Sequence, residues 1–157
     1  MTPVRSPTLI IALLAFGLLS VVHPAPIRAE DTISYFTLPG LSGPPSSLDQ
    51  YKGKTVVLNF WASWCDSCEE EIQTLNALQK KYSGQPIVFI GINEGEDPKK
   101  VKKFVDKTKF GFEIWMDQDK QVAKQMKIFS LPQTLVVSQS GGILYHSAKP
   151  PLEVPSS

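Results

Sequence analysis

Two cysteines, and only two, stand in this chain of 157 residues, and they are three positions apart. Cys65-Asp66-Ser67-Cys68 lies at the junction of two patterns. Before it, Thr55 to Trp61 is a run of Val, Leu, Phe and Trp, as expected of a strand buried on both faces. After it, Asp66 to Tyr82 has helical spacing, with Ile72, Leu75, Leu78 and Tyr82 on roughly one face and Gly84 as the stop. A pair this close makes a poor staple, because it closes almost no loop. At a helix start it gains something else. The first turn offers unpaired N–H groups and a partial positive charge, which stabilise a thiolate and make it a usable nucleophile.

The spacing brings the second sulfur within disulfide reach across the first helical turn. Cys65, ahead of the helix, is the expected attacker. Cys68, inside the helix, is the expected resolving thiol, which breaks the mixed disulfide and releases the reduced substrate. Other cysteine chemistries fit less well. Structural zinc wants four Cys or His ligands, and after Ala29 there are two cysteines and one histidine, His146. No metal site is expected. Soft thiolates also bind copper, so a copper carrier stays open, as does a redox-inactive adaptor. A peroxidase needs an isolated cysteine with Thr and Arg beside it. No arginine follows Arg28, so that reading is set aside.

The remaining chain alternates strands and helices. Tyr35 to Leu38 and the region of Leu48 read as short strands around a Gly43-Pro44-Pro45 turn. Ile87 to Ile92 is a second buried strand, and Pro98 opens a helix carrying Val101, Phe104 and Val105. Glu113 to Met116 is a strand, Asp119 to Lys127 a helix, and Gly141-Gly142 the turn of a final hairpin. This predicts an α/β domain, a central mixed sheet flanked by helices. No repeat and no second domain is found.

Arg5, the apolar run Leu9 to Val22 and Ile27-Arg28-Ala29 have the layout of an export signal. The run is shorter than the ~20 residues that span a bilayer as a helix. Residues 1–29 are therefore read as a signal peptide, or as an uncleaved anchor leaving the domain in the same compartment. The expected domain is 30–149, and the Pro-rich residues 150–157 are expected to be a disordered tail. Without residues 1–29, 14 lysines face 15 acids, so nothing suggests nucleic acid as a partner. Lys99, Lys100, Lys102, Lys103 and Lys107 crowd the second helix, and are read as a solvated face.

Asn59-Phe60-Trp61-Ala62-Ser63-Trp64-Cys65-Asp66-Ser67-Cys68 resembles the active-site segment of the thioredoxin superfamily. More narrowly, with Phe36-Thr37-Leu38 and Lys52-Gly53-Lys54 ahead of it, the chain resembles the exported TlpA/ResA-like thiol–disulfide oxidoreductases from about Tyr35 to Tyr145. The resemblance implies a thioredoxin-like fold with an N-terminal β-hairpin extension. It implies that Pro132, in Leu131-Pro132-Gln133-Thr134, follows a cis bond, with Leu131 facing substrate. It implies that Trp64 shields the site, that Trp61 is scaffold, and that Glu94 helps move protons to and from Cys68. It implies no cofactor. Its departures are Asn59 in place of a buried aspartate, Gln73 in place of a helix proline, and an apparently missing C-terminal helix.

Exported proteins of this kind either make or remove disulfides. Asp66 and Glu69-Glu70-Glu71 surround the helix start, and negative charge there disfavours a thiolate. A strong oxidant needs the opposite. The expected activity is reduction of an oxidised protein, with apocytochrome c as the substrate the resemblance implies and a membrane thiol electron donor as the second partner. The expected place is the periplasm or the outer face of the cytoplasmic membrane. A disulfide-forming oxidase is the alternative direction.

Overall fold

The computed structural model describes residues 32–156, and the leader read over 1–29 lies outside them. The strands are β1 (Thr37–Leu38), β2 (Ser46–Ser47), β3 (Thr55–Trp61), β4 (Ile87–Glu94), β5 (Glu113–Asp117), β6 (Gln133–Val137) and β7 (Ile143–Ser147). The helices are α1 (Asp66–Lys81), α2 (Pro98–Thr108) and α3 (Gln121–Gln125). β1 and β2 pair antiparallel as the expected N-terminal hairpin. The main sheet runs β5-β4-β3-β6-β7. β3, β4 and β5 are parallel, and β6 and β7 antiparallel, so the sheet is mixed as expected.

β3 is central and every one of its residues is buried. Its period of two splits the core. Val56, Leu58 and Phe60 face a cluster with Leu48, Ile90, Trp115, Val122 and Ile128. Val57 and Trp61 face the other side, with Leu75, Leu78, Val101, Ile114 and both cysteines. The first cluster lies under the N-terminal hairpin and α3, the second under α1 and α2. Burial of each large aliphatic side chain contributes about 1.5–3 kcal/mol. Gly91 of β4 marks the tightest approach. A Cβ there would meet Ile114 Cδ1 at 2.7 Å and the Trp61 indole nitrogen at 3.0 Å.

The helices begin and end for local reasons. The Asp97 side chain accepts from Lys99 N–H at 2.8 Å and Pro98 occupies the first turn, so α2 starts where the sequence places it. The α2 lysines are partly paired, Lys100 with Glu96, Lys102 with Asp106 and Lys107 with Glu69. α3 is shorter than the expected Asp119 to Lys127. Lys120 and Lys127 take positive φ, and buried Asp117 accepts the N–H groups of Val122 and Ala123. Asp119 accepts only the Gln121 N–H, at 3.2 Å, so two of the three capped N–H groups are taken from β5, and the helix keeps only five residues.

Among the described residues no helix follows β7. The segment read as a disordered tail is packed instead. Val154 is buried in the α1-side cluster, its N–H donates to Tyr82 Oη at 3.1 Å, and Lys81 pairs with Glu153 at 2.7 Å. An irregular, bent chain thus covers the end of the face beside α1. Prolines bar a helix but not such a strap, and Tyr82 supplies the partner. No described helix is long and apolar enough to cross a membrane.

Candidate active site

Cys65 ends the loop after β3, and its side chain caps α1. Cys68 N–H donates to Cys65 Sγ at 3.3 Å, and the N–H groups of Cys68 and Glu69 reach the Cys65 carbonyl at 3.1 and 3.3 Å. Cys65 and Cys68 form a disulfide, with sulfurs 2.07 Å and Cα atoms 5.2 Å apart. The first-turn N–H that a cap normally satisfies is thus aimed at the sulfur that must carry negative charge. Both residues are buried, Cys65 at 8% and Cys68 at 3% exposure, so Cys65 is the more open of the two but less open than the sequence suggests. Ser67 Oγ lies 3.6 Å from Cys65 Sγ.

The other expected residues gather at the same end of the sheet. The Leu131–Pro132 peptide bond is cis. Trp64, 60% exposed, and Leu131 border one cleft of about 220 Å³, and Glu94 lines it with them. Burial pushes the Glu94 carboxyl above its usual range, Asp117 adds to this, and Lys120 opposes it. Asn59, the departure from the thioredoxin pattern, is buried and donates to Thr134 Oγ1 at 3.1 Å. Trp61 is fully buried, stacked on Phe104 and tilted against Phe110, as a scaffold residue is.

Two further acids stand close to the redox pair. Glu96 looks like a loop acid but is buried. It accepts from Ser63 N–H at 2.6 Å, Ser63 Oγ at 2.7 Å and Asn93 Nδ2 at 2.8 Å, and pairs with Lys100 at 2.8 Å. Burial alone would raise its pKa. The hydrogen bonds from Lys100, Asn93 and Ser63 win and hold it at about 2. It therefore clamps the segment leading into Trp64 and Cys65. The available signal was its place just beyond the carboxyl end of a parallel strand, where sites in such sheets collect.

Glu71 looked like part of a helix-start acid run. It is half-buried, its Oε2 has no partner among the described residues, and burial lifts its pKa to about 7, with Glu70 adding and Lys149 opposing. Three residues beyond Cys68, it shares that side of α1. That spacing was visible in the sequence.

A profile of the AhpC/TSA family matches residues 29–146. The chain is 32% identical over 117 residues to the thiol–disulfide oxidoreductase ResA of Geobacillus kaustophilus, covering 74% of this chain and 67% of that one. Its structure is similar to a thiol–disulfide oxidoreductase from Bacteroides fragilis, with TM-score 0.68 and 29% identity over 73% of this chain and 88% of that one. It is also similar to a secreted Mycobacterium tuberculosis disulfide oxidoreductase homologous to E. coli DsbE, with TM-score 0.66 and 25% identity over 76% and 87%. With a capped disulfide at the head of α1 on a thioredoxin-like fold, the chain belongs to the AhpC/TSA family and is a thiol–disulfide oxidoreductase.

Proposed function

We propose that the protein works outside the cytoplasm as a reductant of protein disulfides. The observation that carries the direction is the charge around the redox pair. Asp66 and Glu69 stand in the first turn of α1, and Glu70 follows them. These groups oppose the helix N-terminus and blunt thiolate stabilisation, whereas an oxidant needs a strongly stabilised reduced form. Export is supported by the Leu9 to Val22 run and by likeness to a secreted relative.

In the proposed cycle, the Cys65 thiolate attacks the substrate disulfide and forms a mixed disulfide. The first substrate sulfur leaves and takes up a proton. Cys68 then gives its proton to Glu71 and attacks Cys65 Sγ, which closes the Cys65–Cys68 disulfide and releases the second substrate sulfur as a thiolate; that thiolate takes up a proton from solvent, and Glu71 returns its own to solvent. Two electrons and two protons pass to the substrate. Glu94, in the cleft with Trp64 and Leu131, is proposed as a second group that helps move protons to and from Cys68. Leu131 and Trp64 hold the substrate chain, and Pro132 shapes the backbone beside it. The proposed substrate is an extended oxidised segment, with apocytochrome c as the case the family resemblance implies. A membrane thiol donor restores the dithiol.

Thiol trapping in cells tests this reading. The pair is expected to be mostly reduced in growing cells and to become oxidised when the membrane donor is removed. A pair that stays oxidised in both conditions contradicts a reductant.

A further inference from the structure

Beyond β7 runs a segment to which no part of the redox cycle has been assigned. β7 ends at Ser147 opposite Thr134, two residues after cis Pro132, so the chain leaves the sheet at the redox end. There the Tyr145 hydroxyl donates to the Lys149 carbonyl at 2.8 Å. Pro151 and Val154 are buried, Val154 in the cluster that holds both cysteines, and Tyr82 Oη and Lys81 fix Val154 and Glu153 at the last turn of α1. Lys149 and Val154 are five residues apart, a reach of at most about 18 Å. Glu71 and Tyr82, eleven residues apart, are separated by about 17 Å of helix. The strap thus has the length to follow this side of α1 from Glu71 to Tyr82, with Lys149 at the Glu71 end.

Glu71 is half-buried three residues beyond Cys68, and its Oε2 is buried with no partner among the described residues. The charged groups that act on it are Glu70 on its own helix and Lys149 on the strap. Tyr145 of β7, also titratable, directs its hydroxyl to the strap backbone. We propose that residues 148–154 are a positioning element of the redox reaction. The strap closes the solvent side of Glu71 and holds its carboxyl for the Cys68 proton. A carboxylate in water is a poor acceptor for a thiol proton, because its ordinary pKa lies about four units below that of cysteine. Excluding water narrows that gap, and Lys149 keeps the carboxyl from remaining protonated. A strap that only fills the fold would do neither. The inference rests on the reading that Glu71 accepts the Cys68 proton.

The test mixes the reduced protein with excess dithiobis-nitrobenzoate, whose thiolate product is coloured. The Cys65 thiolate attacks it, forms the mixed disulfide and releases one coloured thiolate. Cys68 gives its proton to Glu71, attacks Cys65 Sγ and releases the second, and Glu71 returns the proton to solvent. Stopped-flow absorbance separates the two steps, and the pH dependence of the second is the readout, which a merely structural strap would not move. In wild type the second step is expected to rise through pH about 7. Val154→Asn, which frees the strap without adding charge, is expected to move that rise down toward 4.5, the ordinary carboxyl value. Lys149→Gln, at an exposed position, is expected to move it up. Leu152→Asn, at a side chain 94% exposed, is expected to leave it in place. Should Val154→Asn fail to fold, Tyr82→Phe stands in for it, since it removes only the acceptor of the Val154 N–H. A rise left at its wild-type position by the strap variant, or by Lys149→Gln, overturns the proposal. Glu71→Gln separates the two failures. A wild-type profile in that variant means that Glu71 is not the acceptor, and the proton reading falls with the strap. A rise lost in Glu71→Gln but unmoved by the strap variants overturns only the strap.

Discussion

Glu96 Oε2 accepts the Ser63 backbone N–H at 2.6 Å, which ties the residue two before the attacking cysteine to the loop after β4. Its other oxygen takes the Ser63 hydroxyl at 2.7 Å. A carboxylate that holds both polar groups of one residue fixes where the next two residues point.

Glu96→Ala should therefore destabilise the protein by about 2–3 kcal/mol, since it strands the Ser63 and Asn93 donors in a buried place. Urea unfolding reads this as a lower midpoint at unchanged slope. The pH dependence has a definite sign. The folded pKa is depressed to about 2, so the stabilisation is present above the ordinary value of 4.5 and is lost as pH falls through about 2. The gap between wild type and variant should narrow from pH 6 toward pH 2. A gap independent of pH contradicts the clamp.

Glu71 has the opposite sign. Its folded pKa is raised from 4.5 to about 7. The protonated carboxyl is the form that suits the fold, so its contribution is present below pH 4.5 and is lost as pH rises through about 7. Glu71→Gln should match wild type near pH 4 and exceed it in stability at pH 8. The same variant should slow resolution of the mixed disulfide by on the order of 10²-fold if the carboxyl takes the Cys68 proton. Quenched-flow trapping of the mixed disulfide measures that lifetime.

Gly91→Ala should cost about 1–3 kcal/mol, because the added carbon meets Ile114 Cδ1 and the Trp61 ring inside a packed face. Thermal unfolding tests it. A neutral result would mean that the Trp61 side of the sheet is looser than the structure shows.

The C-terminal strap gives a further expectation. Val154→Asp removes a buried apolar side chain and places a charge against the α1-side cluster. It should cost about 2–3 kcal/mol. Leu152→Asp, two residues away at a fully exposed position, should cost nearly nothing. Equal effects from the two would contradict the packed strap.

Much of this was legible in the chain because it depends on local pattern. The apolar Thr55 to Trp61 run, the Asp97-Pro98 start of α2 and the Gly141-Gly142 hairpin are short-range signals, and each element forms where those signals stand. Cys65 and Cys68 were legible for the same reason. What was not legible depends on contacts across the fold. Asp117 accepts the Val122 and Ala123 N–H groups from the end of β5, a contribution that the residues around Asp119 do not announce. Val154 meets Tyr82 across 72 residues, and a Pro-rich tail read alone looks free. The family resemblance singles out Glu94, but nothing near Glu96 shows its burial until Ser63 and Asn93 are brought to it.

The reduction potential of the Cys65/Cys68 pair in defined thiol buffers, with Cys65→Ser as the control, decides the direction of the chemistry. A potential well below about −200 mV is expected, the range of a pair kept reduced by a donor. A potential near −120 mV, that of a disulfide-forming oxidant, would contradict the proposed reductant.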